Sequence, residues 1–146
     1  IDDVCIFVPP PQDAGVQIIS QPPVQAPAGL CIPVEVTITN FGSQPITSTP
    51  VTYTSSTGAT QTATWTGNLA PGASTVFTIT PCLTIPSGPF TVCAYTSLPN
   101  DGLPFNDTTC ISSTGIPVLT LLRAMTLRAV TLVGFQHQQV EPMNGN

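Results

Sequence analysis

The chain has 146 residues, enough for one ordinary domain with short additional segments. Charged residues make up only 6% of it and the net charge is −5, so a nucleic-acid partner, which needs basic side chains, is not expected. No apolar run is long enough for a transmembrane helix. No signal peptide is recognised at Ile1, and we interpret the chain as an internal piece of a longer protein.

The composition predicts an all-β fold, because 17 prolines and 11 glycines disfavour long helices while Thr and β-branched residues favour strands. Short apolar runs separated by turn residues follow one another along the chain. We predict a turn over 67–73 and strands over 14–20, 31–40, 46–54, 59–66, 74–80, 89–97 and 107–112. Seven short strands predict an immunoglobulin-like sandwich of two antiparallel sheets.

The core is predicted from alternation. Ile32, Val34, Val36 and Ile38 share one face of the 31–40 strand, whose other face is polar. Phe90, Val92 and Ala94 should face the core together with Phe77, Ile79 and Trp65.

Two disulfides are predicted from strand pairing. A hairpin around the 97–106 loop places Cys93 opposite Cys110, within disulfide reach, although two free thiols are the alternative. Cys31 begins one strand and Cys82 follows another, and in a sandwich these two strands are antiparallel neighbours. The competing pair, Cys31 with Cys93, is less favoured because both lie opposite the apolar stripes.

Cys5 is left unpaired by this scheme. The stretch around it, DDVCI, has the spacing of DTTCI at 107–111. We therefore interpret residues 1–8 as the last strand of a preceding repeat. Five cysteines in a lysine-free chain indicate an oxidising compartment, and a zinc site is not expected because Cys and His ligands are not closely spaced.

Several stretches together resemble a known family: VEVTITNFG at 34–42, PVTYT at 50–54, TATWTGNLAPGAS at 62–74, and CAYTSLPNDG with NDTTC across 93–110. In order and spacing they resemble the CARDB-type, immunoglobulin-like repeats of large secreted bacterial surface proteins. The resemblance covers about residues 12–113. It implies an adhesion or spacer module, and it implies no enzymatic chemistry for this chain.

Polar residues of the 97–106 loop are the first candidate site. Asn100, Asp101, Asn106 and Asp107 could bind Ca²⁺ through oxygen atoms, but the same residue types form tight turns, which we favour. No resident cofactor is therefore expected, with Ca²⁺ as the alternative. Asn106-Asp107-Thr108 is an N-glycosylation sequon, and Asp107-Thr108-Thr109 resembles a bacterial O-glycosylation motif.

Aromatic residues are the second candidate site. Trp65, Tyr53 and Tyr95 could form a platform for sugars, although Trp65 is predicted to pack in or near the core and Tyr95 to be exposed. The only histidine, His137, has no evident partner for catalysis.

The sequence therefore predicts a non-enzymatic, extracellular or cell-surface module that acts as a disulfide-pinned spacer, with neighbouring domains of the same polypeptide as partners. Surface glycans or proteins are further candidate partners, and the alternatives are a glycan-binding module or an accessory domain of a secreted hydrolase. The predicted organisation is a proline-rich linker at 9–13, a sandwich at 14–113, a linker at 114–120 and a tail at 121–146.

The tail differs sharply in composition, since it holds both arginines, both methionines and the histidine. Reading its back-translated codons from the third base permits a sequence that resembles the start of a jelly-roll domain. We therefore expect 121–146 to be an out-of-frame translation that contributes little to the fold.

Overall fold

The computed structural model describes residues 8–117. The predicted strand of a preceding repeat, with Cys5, and the predicted out-of-frame tail both lie outside these residues. The described part is an all-β sandwich of two sheets, which confirms the predicted fold class. Its strands are β1 (Ala14–Gln21), β2 (Gln25–Pro27), β3 (Cys31–Asn40), β4 (Ile46–Ser55), β5 (Thr60–Leu69), β6 (Ser74–Thr84), β7 (Gly88–Thr96) and β8 (Thr108–Ile116).

The smaller sheet has three strands in the order β1-β3-β6, all antiparallel. Alternation along β3 buries Val34, Val36 and Ile38 completely, as predicted, while Glu35 and Thr37 are half-buried on the other face. β6 continues past Pro81 to Thr84, four residues beyond the predicted end. Proline is accommodated because β6 is an edge strand with a register shift at this point.

The larger sheet has five strands in the order β2-β8-β7-β4-β5. Its centre is the predicted β7–β8 hairpin, in which Cys93 pairs with Cys110. β4 joins β7 only from Val51 onward, since Pro50 has no N–H to donate. The prediction missed β2, which pairs in parallel with Gln25 beside Thr114.

The end of β5 also differs from prediction. Gly67–Leu69, assigned to a turn from their residue types, continue the strand, and the turn is confined to about 70–73. Glycine at 67 makes room for the Trp65 ring, because a Cβ there would lie 2.6 Å from the Trp65 Cζ2 atom. Trp65 belongs to the core with 9% of its surface exposed.

The core lies between the two sheets. Phe90, Val92 and Ala94 of β7 belong to one buried cluster with Ile79 of β6, as predicted, and Phe77 packs against this cluster while partly exposed. Tyr53 is also buried there, at 1% exposure. The buried apolar side chains of the two sheets thus form one continuous layer, as expected for a sandwich.

The structure supports both predicted disulfides. The Cα atoms of Cys31 and Cys82 are 5.5 Å apart and those of Cys93 and Cys110 are 4.0 Å apart, each pair within its own sheet. Cys31 and Cys110 are exposed and their partners half-buried, so both bridges lie on outer faces of the sandwich. The alternative pairing of Cys31 with Cys93 does not form.

Two of the motifs that carry the family resemblance contact each other directly. The Asn40 side chain, at the NFG motif, donates to the Leu69 carbonyl at 2.9 Å and the Gln44 carbonyl at 2.8 Å, and accepts from the Gly42 N–H at 2.9 Å. The Asn40 carbonyl accepts from the Gly72 N–H at 2.9 Å. Asn40 therefore fixes the turn at about 70–73, which ends the GNLAPG motif.

Candidate functional site

Three carboxylates meet at one end of the sandwich. Asp13 immediately precedes β1, and Asp101 and Asp107 come from the loop between β7 and β8. A carboxylate oxygen from each lies within 4.8 Å of the others. Asp13 is 1% exposed and Asp107 is 8% exposed, so two of the three are buried.

The backbone conformation of Asn100 and two hydrogen bonds to the Asp101 carboxylate position Asp101. Asn100 takes the left-handed conformation (φ 62°), which Asn tolerates, and turns the chain. One Asp101 oxygen, Oδ1, then accepts from the Leu103 N–H at 2.8 Å, as in an Asx turn. The other, Oδ2, accepts from the Ala14 N–H at 2.9 Å and so joins the loop to the start of β1.

Asp107 is placed by a 3-10 turn, Pro104–Asn106, after which its carbonyl accepts from Val16 N–H at 3.1 Å. A Cβ at Gly15 would overlap the backbone oxygen of Asn106, so glycine permits this close approach. The Asn106 amide donates to Asp13 Oδ2 at 3.2 Å. The segment before β1 and the β7–β8 loop are thus in contact along several residues.

The segment before β1 makes further backbone contacts. The Gln12 carbonyl accepts from Gly102 N–H at 2.9 Å, and the Pro10 carbonyl accepts from Ser43 N–H at 3.0 Å. The predicted linker at 9–13 therefore includes residues hydrogen-bonded to two loops of the sandwich.

Burial and mutual proximity change the acidity of this cluster. Burial, with the nearby charges of Asp101 and Asp13, raises the pKa of Asp107 to about 7. Burial also raises the pKa of Asp13, opposed by its hydrogen bond from Asn106 and reinforced by Asp101. No Lys, Arg or His occurs between residues 8 and 117, so the described part offers no side-chain cation to balance these charges.

The arrangement can hold a metal ion through oxygen ligands. Of the four loop residues that the sequence singled out, the structure brings Asp101, Asn106 and Asp107 together and leaves Asn100 exposed. Asp13 was missed because no local motif marks it. The topology of the fold is the signal that could have identified Asp13, because the first strand of an immunoglobulin-like sandwich starts near the β7–β8 loop.

The aromatic residues do not form a surface platform. Trp65 and Tyr53 are buried in the core, and Tyr95 is half-buried on β7 opposite Thr108. In the sequon, the Asn106 amide is engaged with Asp13 and Asp107 is buried. Ligand contact and glycosylation at these residues stay predictions.

The fold and the loop cluster define an immunoglobulin-like sandwich with an acidic end. The sequence matches no protein-family model, and it matches no curated protein. Among solved structures, it is similar to the CARDB domain of a Pyrococcus furiosus protein, crystallised in complex with di-metal ions. The TM-score is 0.58 at 20% identity, over 80% of this chain and 98% of that one.

A second similar structure is a domain assigned to a cell surface protein of Methanosarcina acetivorans, with a TM-score of 0.59 at 21% identity over 75% of this chain and 94% of that one. The chain therefore has the fold of CARDB domains, as the sequence resemblance predicted. Within residues 8–117 there is no helix long and apolar enough to cross a membrane.

Proposed function

We propose that the chain is a non-enzymatic structural module of a secreted or cell-surface protein, a disulfide-pinned spacer that sets the distance between neighbouring domains. The observation that carries the proposal is the pair of bridges, each linking adjacent strands of one sheet on an outer face. Disulfides persist in oxidising compartments and not in the cytosol, so exposed structural bridges favour an extracellular location.

The surface supports the same proposal. Charged residues are only 6% of the chain, and its outer strand faces carry Thr and Ser in their place, as in Thr60, Thr62 and Thr64 of β5. The similar domain assigned to a cell surface protein of Methanosarcina acetivorans agrees with this location. We also propose the domain boundaries given above, with neighbouring domains of the same polypeptide as the partners.

The proposal is tested on the purified, oxidised chain in three ways. Non-reducing peptide mapping should recover Cys31 linked to Cys82 and Cys93 linked to Cys110, and digestion by a broad-specificity protease should be slow until reductant is added. A glycan array should show no saturable binding. Saturable binding that Tyr95→Ala removes would instead favour the glycan-binding alternative.

A further inference from the structure

We propose that Asp13, Asp101 and Asp107, with the side-chain oxygen of Asn106, bind one Ca²⁺ ion that joins the segment before β1 to the β7–β8 loop. This inference is independent of the spacer function. It rests on three properties of the cluster: the proximity of the carboxylates, the unpaired buried oxygens and the spacing of the ligand atoms.

Proximity alone makes the cluster unusual. Three carboxylate oxygens within 4.8 Å of one another repel strongly when ionised, and burial of Asp13 and Asp107 weakens screening by water. Buried charges in proteins are normally paired or coordinate a metal. No basic residue lies between 8 and 117, so in the described part a bound cation is the available counter-charge.

The unpaired oxygens are the second, independent observation. Oδ1 of Asp13 is buried and has no hydrogen-bond donor, although Oδ2 of the same carboxylate accepts from Asn106. Oδ1 of Asp107 and Oδ1 of Asn106 are also buried without donors. Buried polar atoms are almost always satisfied, and three unsatisfied oxygens on neighbouring side chains mark a place for a cation.

The ligand set selects the ion. All four side chains offer oxygen and none offers nitrogen or sulfur, which disfavours Zn²⁺. Two oxygens separated by at most 4.8 Å can share an ion about 2.4 Å from each, which is a Ca²⁺–oxygen distance. Mg²⁺ needs about 2.1 Å and a near-ideal octahedron and gives up its waters reluctantly, so a set of protein oxygen ligands favours Ca²⁺.

Binding would fix a contact between segments that are distant in sequence. Asp101 already accepts from the Ala14 N–H, and the Asp107 carbonyl accepts from Val16 N–H. An ion held by Asp13 on one side and by Asp101 and Asp107 on the other would add an ionic link to these hydrogen bonds. Its expected local effect is slower amide exchange at Gly102 and Val16, which donate across the same contact.

The test uses the full chain, first stripped with EDTA and then titrated with CaCl2 or MgCl2. Calorimetry should show one Ca²⁺ per chain with a Kd of roughly 10⁻⁴–10⁻³ M or tighter, the range of extracellular modules, and at least tenfold weaker Mg²⁺ binding. The melting temperature should rise by several degrees in 10 mM Ca²⁺.

Matched variants make the assignment specific. Asp13→Asn and Asp107→Asn should each lose at least tenfold in Ca²⁺ affinity yet, in EDTA, be no less stable than the original chain, because one repelling charge is removed. Glu35→Gln also removes one carboxylate, outside the cluster on β3, and should keep the full Ca²⁺ response. No heat and no melting shift with Ca²⁺ in the original chain, or an unchanged response in both Asp variants, would overturn the proposal.

Discussion

Asn40 shows how a single residue fixes two turns. It is fully buried, and its side chain makes three hydrogen bonds to backbone groups of Gly42, Gln44 and Leu69. This role explains why the NFG and GNLAPG motifs occur in the same chain. The NFG motif supplies the Asn40 side chain as the donor, and the GNLAPG motif supplies the Leu69 carbonyl as the acceptor.

We expect Asn40→Ala to lower the free energy of unfolding by about 2–4 kcal/mol, because the carbonyls of Gln44 and Leu69 lose their donor. Urea unfolding measures this directly. Asn68→Ala, at an exposed position of β5, is the control and should change stability by less than about 0.5 kcal/mol. Equal stability of the two variants would contradict the assigned role.

Asp107 predicts an unusual pH dependence for the metal-free chain. Its pKa is about 7 in the folded state against an ordinary value of 3.8, so the folded state binds the proton more tightly than the unfolded state. The associated stability is fully present below about pH 3.8 and is lost as the pH rises through about 7. In EDTA, the melting temperature should therefore be higher at pH 5 than at pH 8.

Asp107→Asn should flatten most of this difference, and Glu35→Gln should retain it. A melting temperature in EDTA that increases from pH 5 to pH 8 in the original chain would contradict the prediction. Calcium should oppose the trend, since it binds the ionised carboxylates and displaces the proton.

The sequence located only part of the acidic site. Asp101, Asn106 and Asp107 stood out because they cluster within one loop, where local spacing is informative. Asp13 could not be recognised in this way, since its contacts with Asn106 depend on the closure of the whole sandwich. Burial of Asp107 is equally a property of packing, because its residue type favours an exposed turn.

At the scale of strands, the two disulfides should differ in their contribution. Cys31–Cys82 closes a span of 51 residues and Cys93–Cys110 a span of 17. The loop-entropy model gives about 4 and about 3 kcal/mol respectively, a large share of the stability of an ordinary domain. We expect the Cys31→Ser/Cys82→Ser variant to be the less stable of the two double variants.

Urea unfolding of the oxidised chain and the two double variants measures both losses. Reduction of the original chain should remove about the sum. A larger loss from the Cys93→Ser/Cys110→Ser variant would show that packing around the hairpin, and not loop length, determines the contribution.

Strand prediction succeeded where one face of the strand is buried and the other faces solvent. The 31–40 prediction coincides with Cys31–Asn40 because alternation there follows the core. Strand prediction failed where pairing with a segment distant in sequence, and not the local residue pattern, determines the strand. Gln25–Pro27 has three residues and one proline, and only pairing with β8 makes it a strand. Gly67 was assigned to a turn because the contact with Trp65 is not visible locally.

At the scale of the whole molecule, we expect residues 121–146 to add little to stability. Both sheets, the core and both bridges form within residues 8–117. Deletion of 121–146 should therefore leave the melting temperature within a few degrees, as measured by differential scanning calorimetry. A loss of ten degrees or more, or a gene without a jelly-roll sequence one base away, would contradict the out-of-frame interpretation.

The parallel pairing of β2 with β8, together with the contact of β1 near the start of β8, has a consequence when the two ends of the sandwich are pulled apart. The start of β1 lies beside the start of β8, where Val16 N–H donates to the Asp107 carbonyl. The described part of the chain ends just after the other end of β8, where Ala28 N–H donates to the Ile116 carbonyl. A nine-residue strand spans about 30 Å. Tension applied between these ends would slide β1 and β2 against β8 along their length. The hydrogen bonds and side-chain contacts between them would then bear the load together and rupture in shear, whereas a contact pulled from one end would open one bond at a time.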